Sequence, residues 1–163
     1  MSLESVRAFF AEHAPDVEVI VTEASSATVL QAAEAHGVKP EQIAKTICLR
    51  AGEQAMLIVA SGTARLDNRK FKDRFDGKKP RMLDPEETLR LTNHPVGGVC
   101  PFGLPIGDAG PLPIYCDVSL KAFDMVVPAA GATNAAVHIA PQRIVELVKA
   151  EWVDLCQEAV VSA

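Results

Sequence analysis

The chain has 163 residues, of which 48% are hydrophobic, and a formal net charge of −5 at pH 7. This length suits one compact domain over residues 1–163 that buries roughly two thirds of its unfolded surface. The acidic charge disfavours indiscriminate binding of nucleic acid, so DNA is not an expected partner. We find no run as long as a membrane span and no signal-peptide pattern, which predicts a cytoplasmic protein without membrane contact.

The order of helix and strand patterns predicts a mixed α/β (α+β) chain. In chain order the predicted elements are a helix over 3–13, a strand over 17–22, a helix over 28–36, strands over 46–50 and 55–60, helices over 67–75 and from 84, strands over 114–118, 125–128 and 136–139, and a helix from 141 to about 157. A capping box of Thr28 and Gln31 begins the second helix, and Gly37 follows its end. Asp84 and Pro85 open the fourth helix, with a second capping box completed by Glu87.

The two strands over 46–50 and 55–60 form a predicted hairpin. The second of them is apolar on both faces, which is typical of a central strand. Lys45 stands where a short helical start at 40–42 passes into the first of these strands. Because side chains alternate along a strand, Lys45 shares a face with Ile47 and Leu49, so its ammonium ends an apolar row. Such a partly desolvated lysine binds an anion or a carbonyl, although an ordinary solvated lysine is the alternative.

Residues 96–105 contain three glycines and two prolines, a composition that excludes a helix and a central strand. Glycine permits positive φ and close approach, while each proline fixes φ and removes one N–H group. The segment is therefore a shaped loop whose remaining N–H groups point in set directions. A plain turn is the alternative interpretation.

Residues 65–81 carry eight basic and three acidic side chains, a net charge of +5 that leaves −10 for the rest of the chain. This asymmetry steers a polyanion to one face, and a solvated helix is the alternative. The spacing of Phe71 and Phe75 favours core packing over base stacking. The basic residues with a predicted binding role are Arg69, Lys70, Lys72, Lys78 and Lys79.

The cysteines and histidines are scattered through the sequence. No Cys-x-x-Cys pair occurs, which indicates reduced thiols rather than a disulfide framework or zinc site. Each histidine is expected to be an ordinary surface or helix-end residue, and His94-Pro95 a turn before the glycine loop. Neither the cysteines nor the histidines offer a ligand set, so we expect no metal. The sequence has no phosphate-loop or dinucleotide fingerprint, which disfavours a nucleotide- or redox-dependent enzyme, and we expect no other cofactor. These residues are Cys48, Cys100, Cys116, Cys156, His13, His36, His94 and His138.

Three segments together carry a family resemblance: 43–46 (Ile-Ala-Lys-Thr), 97–103 (Gly-Gly-Val-Cys-Pro-Phe-Gly) and 129–131 (Ala-Ala-Gly). In this order and spacing, from about 22 to about 148, the chain resembles the YbaK/EbsC family, which is related to the editing domain of bacterial prolyl-tRNA synthetases. The resemblance implies a central, mixed and largely antiparallel sheet or barrel surrounded by helices. It also implies a trans-editing hydrolase that deacylates mischarged aminoacyl-tRNA, with tRNA for proline carrying a small non-cognate amino acid as substrate.

The resemblance further implies roles for individual residues. Lys45 would hold the terminal adenosine or the ester, and the N–H groups of Gly97, Gly98 and Val99 would stabilise the carbonyl oxygen. The basic residues of 65–81 would contact the acceptor end of the tRNA, and prolyl-tRNA synthetase is a possible partner. The implied substrate-binding residues are Thr28, Thr46, Pro101, Phe102, Gly103, Ala130 and Gly131.

The sequence shows no Ser-His-Asp set and no telling pair of carboxylates, so the implied chemistry depends on positioning an already activated ester. The amino acid stays open, because residues 132–136 lack the acid of the cysteine-removing branch and residues 128–131 do not match the His-Pro motif of the alanine-removing branch. A non-catalytic regulatory module that binds aminoacyl-tRNA or a nucleotide is the alternative function.

Overall fold

A computed structural model gives the arrangement of residues 2–107 and 110–157. This part of the chain contains α-helices, β-strands and two 3₁₀ helices, Pro40–Gln42 and Val118–Ala122. The helices are α1 (Ser2–His13), α2 (Val29–His36), α3 (Asn68–Arg74), α4 (Pro85–Thr92) and α5 (Pro141–Val148). The strands are β1 (Ile20–Val21), β2 (Ile43–Ala51), β3 (Gln54–Ser61), β4 (Pro80–Met82), β5 (Ile114–Asp117), β6 (Val127–Pro128), β7 (Ala135–Ala136) and β8 (Glu151–Val153).

The main sheet is mixed and has the strand order β4-β2-β3-β5-β8. The β2–β3 hairpin is antiparallel and has the longest register, from Ala44 opposite Ser61 to Ala51 opposite Gln54. Pairings of β3 with β5 and of β5 with β8 are parallel, as is the short pairing of β6 with the start of β2. Strands β1 and β7 form a separate antiparallel pair. The predicted mixed α+β class is therefore confirmed.

Strand β3 lies at the centre of the sheet, as its apolar sequence predicts. Every residue from Ala55 to Ser61 is buried. One face carries Met56 and Ile58 into a core with Phe71 of α3. The opposite face carries Val59 into a second core that includes Phe10 of α1. Burial on both faces explains why the hairpin forms the rigid base on which the site is built.

Local hydrogen bonds set the predicted helix starts. The Thr28–Gln31 capping box is present, and Gly37 ends α2 with φ of 64°. The Asp84 side chain accepts a hydrogen bond from the Glu87 N–H at the start of α4. The predicted second capping box is not completed, because the Glu87 carboxylate binds Arg50 of β2 instead. A charge-assisted contact with the sheet has displaced the local contact with the helix end.

The end of the last helix was predicted wrongly. Helix α5 ends at Val148, where Lys149 adopts φ of 56°, and β8 follows in place of a helix reaching about 157. Pairing of Tyr115 with Glu151 and of Asp117 with Val153 fixes this strand against β5. These contacts lie far apart in sequence, so helical periodicity could not reveal them.

Other boundaries also differ from the sequence prediction. Strand β2 begins at Ile43 instead of 46, so Lys45 lies within the strand and not before it. Strand β4 was not predicted, and the predicted strands over 17–22 and 136–139 are represented by the short pair β1 and β7. None of the helices in the described ranges is long and apolar enough to cross a membrane.

Candidate active site

A small cavity of about 130 Å³ opens where β2 begins. The start of α2, the start of β2, the glycine loop over 96–105 and the segment over 127–136 form its walls. The structure thus brings Thr28, Lys45, Thr46, Gly97 and Val99 to one cavity, although they lie up to about seventy residues apart. Most other lining side chains are small or aliphatic, so the cavity is narrow and largely apolar.

Lys45 is a half-buried cation at this cavity. It lies opposite Ala60 in the hairpin register, and its ammonium donates a hydrogen bond to the carbonyl of Ala64. Burial lowers the pKa of Lys45 below its ordinary value, and the nearby Arg65 lowers it further, while Cys156 opposes the change. An ammonium has three donors, so the contact with Ala64 leaves capacity for a ligand.

The glycine loop offers two backbone donors instead of the three that were predicted. The Gly98 N–H already donates to the Pro95 carbonyl at 2.9 Å, which removes it from the expected oxyanion site. The N–H groups of Gly97 and Val99 have no acceptor among the described residues. A Cβ on Gly98 would lie 2.7 Å from the backbone of Ala132, so this glycine is required for close packing of two segments.

The end of the loop lies in the core and not at the cavity. Pro101 is buried, and the fully buried Phe102 packs against Phe10 with ring centroids 4.6 Å apart. A Cβ on Gly103 would lie 2.7 Å from the Ser5 carbonyl oxygen in α1. The predicted substrate-binding role of Pro101, Phe102 and Gly103 does not fit these positions, because all three support the loop from beneath α1.

The wall opposite the glycine loop is formed by residues other than the predicted Ala130 and Gly131. Ala129 and Ala136 line the cavity, and they form an isolated bridge. Ala130 is fully buried in the core on the other side, and Gly131 packs against the Ser2 carbonyl while its N–H binds the Gly98 carbonyl at 2.9 Å. Ala130 and Gly131 therefore lie behind the wall, because Ala130 is directed into the core and Gly131 is packed against the start of α1.

His94 is a buried residue behind the glycine loop, which corrects its expected surface position. It is 0% exposed, and its Nε2 lies 2.9 Å from the Phe102 carbonyl. The Ser2 hydroxyl contacts His94 Nδ1 and donates to the Gly131 carbonyl. Burial lowers the pKa of His94, and the Phe102 carbonyl opposes that change. The only sequence signal was its place directly before the loop.

Two other histidines also lie together despite their distance in sequence. His36 Nδ1 and His138 Nε2 are 3.0 Å apart, and burial lowers the pKa of His36. Within the described ranges, no group of three or more histidine, cysteine, aspartate or glutamate side chains could hold a metal ion. This pair does not line the small cavity.

All four cysteines are buried and unpaired. Burial raises the pKa of Cys48 to about 11 and that of Cys100 to about 12, with the same cause and direction for the other two. These thiols stay protonated near neutral pH, and none of them lines the small cavity. Their burial and raised pKa values therefore disfavour a nucleophilic role at the small cavity.

The basic segment over 65–81 begins at a larger cavity of about 890 Å³, which Ala64, Arg65 and Lys70 help to line. Lys70 is not a free cation, because it donates to Asp154 at 3.0 Å and to the Cys156 carbonyl at 2.9 Å. Among the other residues with a predicted binding role, Arg69, Lys78 and Lys79 are exposed and Lys72 is partly exposed. The predicted core role of Phe71 is confirmed, since that ring is fully buried and packs against Phe75.

The fold is that of an editing domain. Residues 23–147 match the family model for the aminoacyl-tRNA editing domain, so the chain belongs to that family and its resemblance to YbaK-like proteins is confirmed. The chain is 46% identical to the uncharacterized protein YwhH of Bacillus subtilis (strain 168) over 160 residues, which covers 97% of this chain and 99% of that protein.

Two further similar proteins are connected with prolyl-tRNA synthetase. A solved structure of a candidate trans-editing enzyme for prolyl-tRNA synthetase is 31% identical with a TM-score of 0.84, and the match covers 96% of this chain and 98% of that one. A 79-residue stretch is 29% identical to the proline–tRNA ligase of Thermotoga maritima. This stretch covers 48% of the present chain and only 14% of the ligase.

Proposed function

We propose that this chain is a trans-acting hydrolase that removes a small non-cognate amino acid from tRNA for proline. The observation that carries the proposal is the cavity in which a half-buried lysine and two uncommitted backbone donors meet small apolar walls. Its volume of about 130 Å³ is far below the roughly 300–1,000 Å³ of sites for drug-sized ligands. Such a space suits one small amino acid rather than a whole nucleotide.

The hydrolytic mechanism uses the backbone N–H groups of the glycine loop. A water molecule adds to the ester carbonyl carbon, and the developing oxyanion accepts hydrogen bonds from the N–H groups of Gly97 and Val99. The C–O bond to the ribose then breaks, and the ribose oxygen takes the proton that the water gives up. The aminoacyl ester is already activated, so positioned donors and an oriented water supply the catalysis without a side-chain nucleophile.

Lys45 positions the substrate at this site. Its half-buried ammonium binds an ester oxygen or the terminal adenosine more strongly than a solvated lysine would, because less water competes for it. The bond to the Ala64 carbonyl restricts the side chain before substrate arrives. Lys45 therefore contributes orientation and charge and does not act as a nucleophile.

The small volume of the cavity limits the size of the amino-acid side chain that can enter it. Ala27 and Thr28 line the cavity at its exposed side, while Ala32, Ala129 and Ala136 line it elsewhere. A substrate with a long side chain would clash with these residues, because a packed protein interior rearranges little. Substrates with small side chains are consequently selected.

The exposed basic residues over 69–79 provide the contact with the acceptor stem of the tRNA. The segment begins at the larger cavity, which Arg65 and Lys70 line and which includes Ala64, the hydrogen-bond partner of Lys45, so a polyanion that follows the segment reaches the site at that end. The similarity to a proline–tRNA ligase and to a candidate trans-editing enzyme supports tRNA for proline as the substrate and prolyl-tRNA synthetase as a partner.

The test is deacylation with charged tRNA in excess over protein. We expect multiple turnover of tRNA for proline charged with at least one of alanine, cysteine, serine and threonine, while prolyl-tRNA is spared. The Arg143→Ala variant is the matched control, since Arg143 forms an exposed ion pair with Asp16 away from the cavity. Tight binding of the charged tRNA without turnover would establish the regulatory binding module instead.

A further inference from the structure

Thr46 carries the one uncommitted hydroxyl among the side chains that line the small cavity. Its Oγ1 is buried and has no hydrogen-bond partner in the described residues. The other two lining hydroxyls are used by the fold. Ser26 donates to the Thr133 carbonyl at 3.2 Å, and Thr28 accepts from the Gln31 N–H at 3.1 Å as part of the capping box.

A buried hydroxyl without a partner destabilises a fold, because it gives up hydrogen bonds to water and regains none. Valine has nearly the same shape and would fill the same place on β2 without that penalty, and it favours strands equally well. The hydroxyl is therefore explained best by a partner that is present only when a ligand occupies the cavity.

The side chains of Thr46 and Lys45 leave β2 in opposite directions. Successive side chains of β2 point to opposite faces, and Thr46 pairs with Val59 while Lys45 pairs with Ala60. The ammonium of Lys45 reaches the Ala64 carbonyl next to the basic segment. The two side chains are thus placed to contact different parts of a ligand, Lys45 the ester and nucleotide and Thr46 the amino acid.

We propose that the Thr46 hydroxyl selects the amino acid, and that the preferred substrate carries a hydroxyl on its side chain, with serine favoured over alanine. This inference rests on the proposed editing function and names the substrate class of the same cavity. A hydroxyl both donates and accepts, so it pairs with Oγ1 in either direction, whereas a thiol is a weak donor and a methyl group leaves Oγ1 unpaired. Sites built to bind a substrate hydroxyl discriminate strongly against analogues that lack it.

The experiment measures deacylation of tRNA for proline charged with serine or with alanine. Each substrate is tested with the wild-type chain, Thr46→Val and Thr46→Ser. We expect wild type to have the higher kcat/KM for serine and Thr46→Val to lower the serine-to-alanine ratio by about tenfold, the value of one modest hydrogen bond. The alanine rate should be unchanged or higher, and Thr46→Ser should restore the ratio. Thermal unfolding confirms that each variant is folded, and Thr46→Val should melt at the same temperature or higher.

A binding measurement separates this inference from the proposed hydrolysis. Calorimetry with the 3′-seryl and 3′-alanyl amides of adenosine, which cannot be hydrolysed as esters, should show the same preference and the same effect of Thr46→Val. Equal loss for both amino acids would overturn the inference, since Thr46 would then bind the α-amino group or another shared part. An unaltered ratio would overturn it as well. Discrimination in binding without any turnover would refute hydrolysis and retain the role of Thr46, and binding of neither amide together with no turnover of either charged tRNA would refute both.

Discussion

Replacing Lys45 by methionine tests the central residue of the proposed mechanism. Methionine keeps an unbranched stem and removes the ammonium. A single well-placed donor in a sheltered site contributes about 2.7–4 kcal/mol to transition-state binding, so we expect Lys45→Met to lower deacylation on the order of a hundredfold or more. Lys45→Arg should also remain slow, because a planar, larger guanidinium does not fit the place of a compact ammonium.

The effect on stability should be small. Loss of the hydrogen bond to the Ala64 carbonyl removes a contact of about 1.5–3 kcal/mol for a charged donor. The lowered pKa of Lys45 indicates an opposing gain, because methionine no longer carries a charge that burial disfavours. We expect a net change within about 1 kcal/mol, which corresponds to about 2–4 °C in melting temperature for a chain of this size.

The lowered pKa of Lys45 also determines how the stability of the fold changes with pH. The unfolded chain holds the Lys45 proton up to a higher pH than the folded chain does, so the penalty for burying the charge is fully present at neutral pH. It disappears as pH rises from the folded pKa towards the ordinary lysine value. The stability of wild type relative to Lys45→Met should therefore increase with pH in that alkaline window.

The assay pairs deacylation kinetics with thermal unfolding, and Lys39→Met at an exposed position is the matched control. Wild-type turnover in folded Lys45→Met would place the ammonium outside the reaction. A lower melting temperature with normal turnover would mean that the contact with Ala64 is its whole role.

Three further predictions follow from the structure. Changing Lys72, Lys78 and Lys79 together to alanine should raise KM for charged tRNA and reduce the slope of affinity against salt, since phosphate contacts release counterions; an unaltered slope would show that the segment is only a solvated surface. Gly98→Ala should destabilise the chain by several kcal/mol in chemical denaturation, because its Cβ would overlap the Ala132 backbone, and wild-type stability would contradict that packing. The buried thiols should react with a thiol reagent at pH 8 far more slowly in the native chain than in denaturant, and fast native labelling would contradict their burial.

The parts of the fold that local chemistry decides could be predicted from the sequence. The start and end of α2 depend on hydrogen bonds within a few residues, as does the capping aspartate of α4. The end of α5 could not be predicted in this way, since Lys149 adopts a left-handed conformation without being glycine and β8 gains its partner from β5. Pairing between distant segments overrides local preference there.

The candidate site also contains some residues that local sequence patterns placed and others that depend on the fold. Alternation along one strand predicted the placement of Lys45 beside an apolar row, and the family resemblance paired it with the glycine loop; both line the cavity. Several predicted residues next to these motifs do not line the cavity, because direction, and not adjacency, decides which side chain reaches it. Ala129 points into it and Ala130 into the core, while His94 contributes from behind the loop.

The positions of the glycines explain how the loop can serve as a rigid donor. Gly98, Gly103 and Gly131 are each pressed against backbone of another segment, namely Ala132, Ser5 and Ser2. Their lack of a side chain therefore allows the loop, the segment after β6 and the start of α1 to lock together. The N–H groups of Gly97 and Val99 stay uncommitted on a loop that these two other segments hold in place. Donors fixed before the substrate arrives need no reorganisation when charge develops on the ester, so the packing behind the loop is itself part of the proposed catalysis.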